Sequence, residues 1–383
     1  MDAPEIELSV LWSTPRLSER EVRRLGELLR ADLDWARVFG ILTTHRTLGI
    51  AWHNTLEHLI AERSALAISH FLLPMKVMYD GQQVLAEEQI EHTLELLAAL
   101  DASSVPVATL KGGAVARMAY PSLGMRVFQD NDLLVPRARL AEAGDVLRRL
   151  GYVQGGWDYA AGVVRPARRS DVLLFPLNSH QTHPYKRATP GARVLECHRI
   201  DLHFSIDLLT SNHTDETVID LLGRRVAVGE PPMWALHPQD MFVFMCAHFA
   251  REARHYADVV KHKDLQLCKL VDLVALLDGP LCPPDAPALA ARARELGMYP
   301  EVAYAMAFVA ELFPARVNQA MADTFRVGSG AGLDEVLDTQ GRVHRWRLTL
   351  PERFFSPNRL AGLIGPDGDP AERSAARPAA ARG

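Results

Sequence analysis

The sequence predicts an α+β fold, with a helical N-terminal region, a strand-bearing middle and a helical C-terminal region. Three observations carry that expectation. Before residue 100, apolar side chains recur at helical spacing between charged ones. Between about 105 and 206, short apolar runs are bounded by turn residues, and from Pro238 the helical pattern returns. The 383 residues accordingly divide into 1–100, 101–235, 236–364 and a tail, 365–383.

From about Ser18 the chain reads as mostly helical. The pattern is clearest over 75–100, where Val77, Val84, Leu85, Ile90, Leu94 and Leu97 fall near helical spacing. Residues 105–110 form a short apolar strand with Pro106 near its start. A short helix over 112–120 follows the Lys111-Gly112-Gly113 turn, and Pro121, Ser122 and Gly124 mark a loop. The next strand is 130–135, and 137–150 is an amphipathic helix closed by Gly151. Residues 170–175 and 193–206 read as further strands, separated by a polar loop holding His180, His183, Lys186 and Arg187. Met241, Val243, Phe244 and Phe249, then residues 265–277, supply helical apolar surface. The tail 365–383 has no large apolar residue and is expected to be disordered. No internal repeat is visible.

Composition narrows the function classes. A formal charge of −5 argues against broad, nonspecific nucleic-acid binding. No apolar run approaches the roughly 18–20 residues of a membrane span. The first residues are acidic and lack the basic-then-apolar order of a signal peptide. Cys197, Cys246, Cys268 and Cys282 show no Cys-x-x-Cys pairing, so neither a zinc ribbon nor a disulfide framework is indicated. The expected location is the cytoplasm.

The chemistry concentrates around Asp130 and Asp132. Alternation along a strand turns both to one face, where two carboxylates repel unless a cation or a proton lies between them. A pair of acids on a surface strand is ordinarily just a solvated face. Here Leu133-Leu134-Val135 follow directly, which suggests a buried strand where uncompensated charge is costly. A hard divalent ion is the natural occupant. A third carboxylate should come from a neighbouring strand, and Glu196 and Asp201 both stand in the run 194–204. They face opposite sides. Arg199 and His203 share a face with Asp201, whereas Ile200, Leu202 and Phe204 share one with Glu196, so Asp201 is the better third ligand. Lys111 and Arg126 suit a triphosphate, and Gly112 and Gly113 can offer it backbone amides.

Other polar groups have blander readings. His180 and His183 either contact phosphate or acceptor, or are incidental to a polar loop. His248, His255 and His262 are seven apart, about 10 Å on one helix, too far to share a metal, and read as structural or exposed. The stretch Arg342-Val343-His344-Arg345-Trp346-Arg347 could meet an acidic partner, but a solvated edge is the simpler reading.

As an ordered set, several of these motifs resemble the uncharacterised bacterial nucleotidyltransferase family of the DNA-polymerase-β-like superfamily. They are Leu110-Lys111-Gly112-Gly113, Arg126 with Asp130-x-Asp132-Leu133-Leu134-Val135, the helix ending Leu150-Gly151-Tyr152, and Asp201-Leu202-His203. Ala247-His248 and Leu270-Val271-Asp272-Leu273 look like that family's C-terminal helical part, which analogy places along the acceptor cleft. The resemblance spans roughly residues 75–280. It implies a small mixed sheet flanked by helices, and a magnesium-dependent transfer of a nucleoside monophosphate from a nucleoside triphosphate to a small-molecule acceptor. Asp130, Asp132 and Asp201 would be catalytic and hold two magnesium ions, with Asp201 also accepting the acceptor's proton. Lys111, Gly112, Gly113, Arg126, His180, His183 and His203 would bind the triphosphate, ATP by default. The chain departs from the family at Asn131, where an aliphatic residue is usual and an amide needs a hydrogen-bond partner. The segment between Gly113 and Asp130 is also longer than in the familiar polymerase-β-type enzymes. These departures motivate a second reading, a noncatalytic nucleotide-binding or regulatory relative. A third is a nucleotidyltransferase that modifies a hydroxyl side chain of a partner protein.

Overall fold

In the computed structural model, which describes residues 3–59, 69–177, 179–206, 215–327 and 332–366, the middle region forms one mixed sheet. Its strands are β1 (Ala108–Leu110), β2 (Asn131–Leu134), β3 (Val153–Asp158), β4 (Val163–Pro166), β5 (Tyr185–Ala188), β6 (Cys197–His203), β7 (Val226–Val228) and β8 (Met233–Ala235). Their order is β4-β3-β5-β6-β2-β1-β8-β7. β2 lies at the centre, antiparallel to β1 and parallel to β6. Every residue of β1 and β2 is buried, as expected of strands covered on both faces. The fold class is α+β, as expected, with helices before and after this sheet.

Contacts divide the chain into two units. One comprises Leu48–Phe244 with Asp278–Cys282 and carries the whole eight-stranded sheet; the other comprises Met1–Thr47, Met245–Leu277 and Pro283–Gly383. In the sheet unit, helix Ser69–Ala102 turns Ala86, Gln89, Ile90, Thr93, Leu96, Leu97 and Leu100 inward, a stripe at 3–4-residue spacing. The loop before β2 is pinned to this helix. Ser122 Oγ bonds Tyr79 Oη at 2.6 Å, and Gly124 N donates to Gln83 Oε1 at 2.8 Å. Gly49, on helix Leu48–Leu59, meets the same loop: a Cβ there would lie 2.2 Å from Gly124 O and 2.4 Å from Gln82 Oε1. Gly49→Ala is therefore expected to destabilise the unit by about 1–3 kcal/mol through overpacking, read as a lower denaturant midpoint.

Several local expectations are corrected. Residues 170–175 are not a strand but part of helix Arg169–Leu174 and a 3₁₀ turn, Phe175–Leu177. A short apolar run cannot distinguish strand from helix by periodicity, and the i,i+3 pair of Arg168 with Asp171 supports the first helical turn. Lys186 and Arg187 lie on β5 rather than in a loop, with Arg187 drawn to Glu95 at 2.6 Å. The three histidines are not on one helix. His248 is on Pro238–Arg254, His255 precedes the short helix Tyr256–Val260, and His262 has φ +54°.

The second unit adds a small sheet, β9 (Glu335–Leu337), β10 (Val343–Trp346) and β11 (Leu363–Ile364), in the order β11-β10-β9. It closes on Val259, Val336, Trp346 and Leu363. The basic stretch around Trp346 is thus a strand. It is the central strand of this sheet and not an edge, with His344 and Trp346 buried, while its exposed arginines pair locally, Arg342 with Asp338 and Arg345 with Asp334 and Glu335. Among the described residues no helix is long and apolar enough to cross a membrane. All but the first two residues of the tail 365–383 lie outside the described residues.

Candidate active site

Parallel pairing of β2 with β6 sets Asp132 directly opposite Asp201, and Leu134 opposite His203. Strand alternation then puts Asp132, Arg199, Asp201 and His203 on one face. Asp130, one residue before β2, completes the group: ligand oxygens of Asp130, Asp132 and Asp201 all lie within 4.8 Å of one another. Asp132 and Asp201 are each 2% exposed. Burial, then the neighbouring Asp132, pushes the Asp201 carboxyl above its usual range, against the pull of Arg199.

Cations pair with this cluster. Lys111 Nζ lies 3.2 Å from Asp132 Oδ2, and Arg199 reaches Asp201 with Nη2 at 2.7 Å and Nε at 3.2 Å. His203 Nε2 bonds Asp132 Oδ1 at 2.7 Å, so the two oxygens of Asp132 are held from different sides. Lys111 and Arg199 thus each pair with one of the two buried carboxylates. A compact set of carboxylate oxygen donors, two of them from buried residues, fits a hard divalent ion.

The Lys111–Gly113 turn packs against the same acids. Lys111 and Gly112 have φ of +37° and +41°. A Cβ on Gly112 would come 3.2 Å from Asp130 O and 3.4 Å from the Phe128 ring, so glycine is required by both dihedral and space. Arg126, expected on phosphate, braces this turn: its Nη1 donates to Gly112 O at 2.9 Å, with the guanidinium 5.8 Å from the Phe128 centroid. His180 comes to the cluster, its ring centroid 5.0 Å from that of His203. His183 packs edge-on against Phe175 instead, at 5.4 Å.

Asn131 points to the opposite face and has the partners an amide needs. Its Nδ2 lies 2.7 Å from Gln89 Oε1, 3.1 Å from His198 Nε2 and 3.3 Å from Arg199 O. Tyr152 Oη bonds His198 Nδ1 at 2.6 Å, and Thr93 Oγ1 lies 3.2 Å from His198 Nε2. Gln89, Thr93 and His198 were not singled out by sequence, and Tyr152 was named only as the end of a helix motif. The available signal was two polar residues four apart, Gln89 and Thr93, within an otherwise apolar helix stripe.

Burial holds His198 neutral, its pKa pushed down to about 3 with help from His92 and Arg187. In the other unit His45, accepting from Leu267 N at 3.0 Å, is pushed down to about 4, again mainly by burial. Both folded values lie below the unfolded value of about 6.5, so the unfolded chain binds more protons in the interval. Stability is expected to be full above that unfolded value and to fall by about 1.4 kcal/mol per pH unit for each histidine as the medium acidifies. Urea titrations at pH 7.5, 6 and 5 test this; stability that stays flat across the series defeats it.

Among curated proteins no match is found. A crystal structure of an antigenic nucleotidyltransferase-like protein from Paracoccidioides brasiliensis is similar at 10% identity, covering 67% of this chain and 94% of that one. Its TM-score is 0.27, too low for one fold to inform the other. The family model described as uncharacterised nucleotidyltransferase matches residues 31–314, which include every residue of the acid cluster and both strands that carry it. On that match, over more than half its length, the chain belongs to this uncharacterised nucleotidyltransferase family.

Proposed function

We propose that the acid cluster serves magnesium-dependent transfer of a nucleoside monophosphate from a nucleoside triphosphate, ATP by default, to a hydroxyl of a small-molecule acceptor in the cytoplasm. The observation that carries this reading is the in-register Asp132–Asp201 pair with Asp130 in reach, in a chain of this family. Asp130, Asp132 and Asp201 would hold two magnesium ions, which supply a lowered pKa for the attacking hydroxyl and neutralise charge on the departing pyrophosphate.

The chain's own groups divide the remaining work. A carboxylate oxygen of Asp201 takes the hydroxyl proton as the acceptor oxygen bonds to the α-phosphorus and the bond to pyrophosphate breaks. Arg199 favours the ionised form of Asp201 for that role. His203 orients Asp132. Lys111, paired with Asp132, would supply a positive charge to the triphosphate, and the Gly112 and Gly113 amides can meet phosphate oxygens. Arg126 acts through the glycine turn it braces. Asn131 faces away from the acids with its bonds made, so it does not interrupt the constellation.

Thermal unfolding with each of the four ribonucleoside triphosphates, with and without magnesium, tests the reading. A magnesium-dependent rise with a nucleotide, lost in Asp130→Asn and Asp132→Asn, is expected, followed by pyrophosphate release when acceptors are supplied. The reading fails if no triphosphate raises the midpoint in a magnesium-dependent manner.

A further inference from the structure

Asp130 stands one residue before β2, so ladder pairing begins only after it. Its two sequence neighbours are held by a single side chain. Gln89, 1% exposed, donates from Nε2 to Gln129 O at 3.3 Å and accepts at Oε1 from Asn131 Nδ2 at 2.7 Å. The same Asn131 amide reaches Arg199 O at 3.3 Å, on the strand that carries Asp201. One buried carboxamide therefore brackets Asp130 from both flanks and, through Asn131, refers it to β6.

Gln89 occupies a helix position whose neighbours Ala86, Ile90, Leu96 and Leu97 are apolar. A primary amide is costly to bury there unless its polar atoms are bonded, and its Nε2 and Oε1 bonds go to the flanks of Asp130. We infer that Gln89 is a positioning residue: its carboxamide sets where the Asp130 carboxylate sits relative to Asp132 and Asp201, and thereby the affinity of the site for a divalent ion. This rests on the reading of the three acids as a metal site. Groups behind metal ligands are known to matter at this level, since removing one weakens metal binding by about 10- to 100-fold.

Manganese(II) is the probe, with binding to the full chain followed by loss of the free-ion electron paramagnetic resonance signal. Four proteins are compared: wild type, Gln89→Met, Gln89→Asn and Thr93→Val. Gln89→Met keeps the length without the amide; Gln89→Asn keeps an amide too short to span both partners. Thr93→Val removes a hydroxyl that contacts Gln89 O and His198 in the same buried network, and keeps both Gln89 side-chain bonds to residues 129 and 131. Both Gln89 variants are expected to bind manganese about 10- to 100-fold more weakly, while Thr93→Val lowers the melting temperature and keeps wild-type affinity. Should Gln89→Met not fold, Gln89→Asn carries the comparison. Unchanged affinity in the Gln89 variants, or equal weakening in Thr93→Val, overturns the positioning role and leaves the metal site standing. A wild-type chain that takes up no manganese overturns the metal reading itself, and this inference with it.

Discussion

Asp201→Asn is expected to remove transferase turnover while raising the melting temperature of the metal-free protein. The two effects have one origin. Asp201 is 2% exposed and faces Asp132 across adjacent central strands, and its carboxyl is pushed above the usual range. Desolvation and like charge therefore outweigh the attraction of Arg199, and the folded chain favours a neutral group at this position. Asparagine is that neutral group at the same volume. Arg199 loses a partner, but its side chain is 37% exposed and stays hydrated, so the loss is small. Activity moves the other way. A ligand whose charge supports several kcal/mol of transition-state stabilisation is worth about 10³-fold in rate, at about 1.4 kcal/mol per factor of ten. The comparison is thermal unfolding in chelator beside turnover in magnesium. A variant that melts lower in chelator contradicts the charge argument, and one that keeps its turnover contradicts the role assigned to the acid.

The same pair of strands shows how far residues alone lead. Strand period is local, so the parity that puts Arg199, Asp201 and His203 on one face, and Ile200 and Leu202 on the other, is readable from a dozen residues. Register between β2 and β6 is not local. Asp132 meets Asp201 through a parallel pairing across two intervening α-helices and three other strands, which no short pattern encodes. Asn131 illustrates the limit from another side. An amide in an apolar strand announces a need for partners, yet naming Gln89 and His198 requires knowing that helix Ser69–Ala102 crosses behind β2. The apolar run 170–175 misleads for a different reason. Leu173, Leu174 and Leu177 are 61%, 56% and 70% exposed, so burial did not decide the local conformation and leucine's helix preference could prevail. The strands β9 and β11 are three and two residues long, too short for any periodicity to register.

Arg359→Ala is expected to cost about 3–5 kcal/mol, because it strands a buried carboxylate. Asp264 is fully buried and Arg359 is 5% exposed. The guanidinium grips both carboxylate oxygens, Nη1 to Oδ2 at 2.7 Å and Nη2 to Oδ1. It also bonds Arg353 O at 3.3 Å, Val259 O at 3.4 Å and His262 Nδ1 at 3.3 Å, and lies over the Trp346 ring at 5.8 Å. Arg359 thus ties residues 259–264 to residues 353–359 where Val259 packs with Trp346 and Leu363 of the small sheet. Amide exchange in β9–β11 should accelerate with the loss of stability, since those short strands have little else to order them. The double variant Asp264→Leu/Arg359→Met discriminates between a net-stabilising pair and a pair that is only costly to break. Removing both charges together should recover most of the loss, because the desolvation penalty disappears with the attraction it offsets. A double variant as unstable as the sum of its single changes would mean instead that the two charges are not coupled and that each side chain contributes through its other contacts, such as the carbonyl bonds of Arg359.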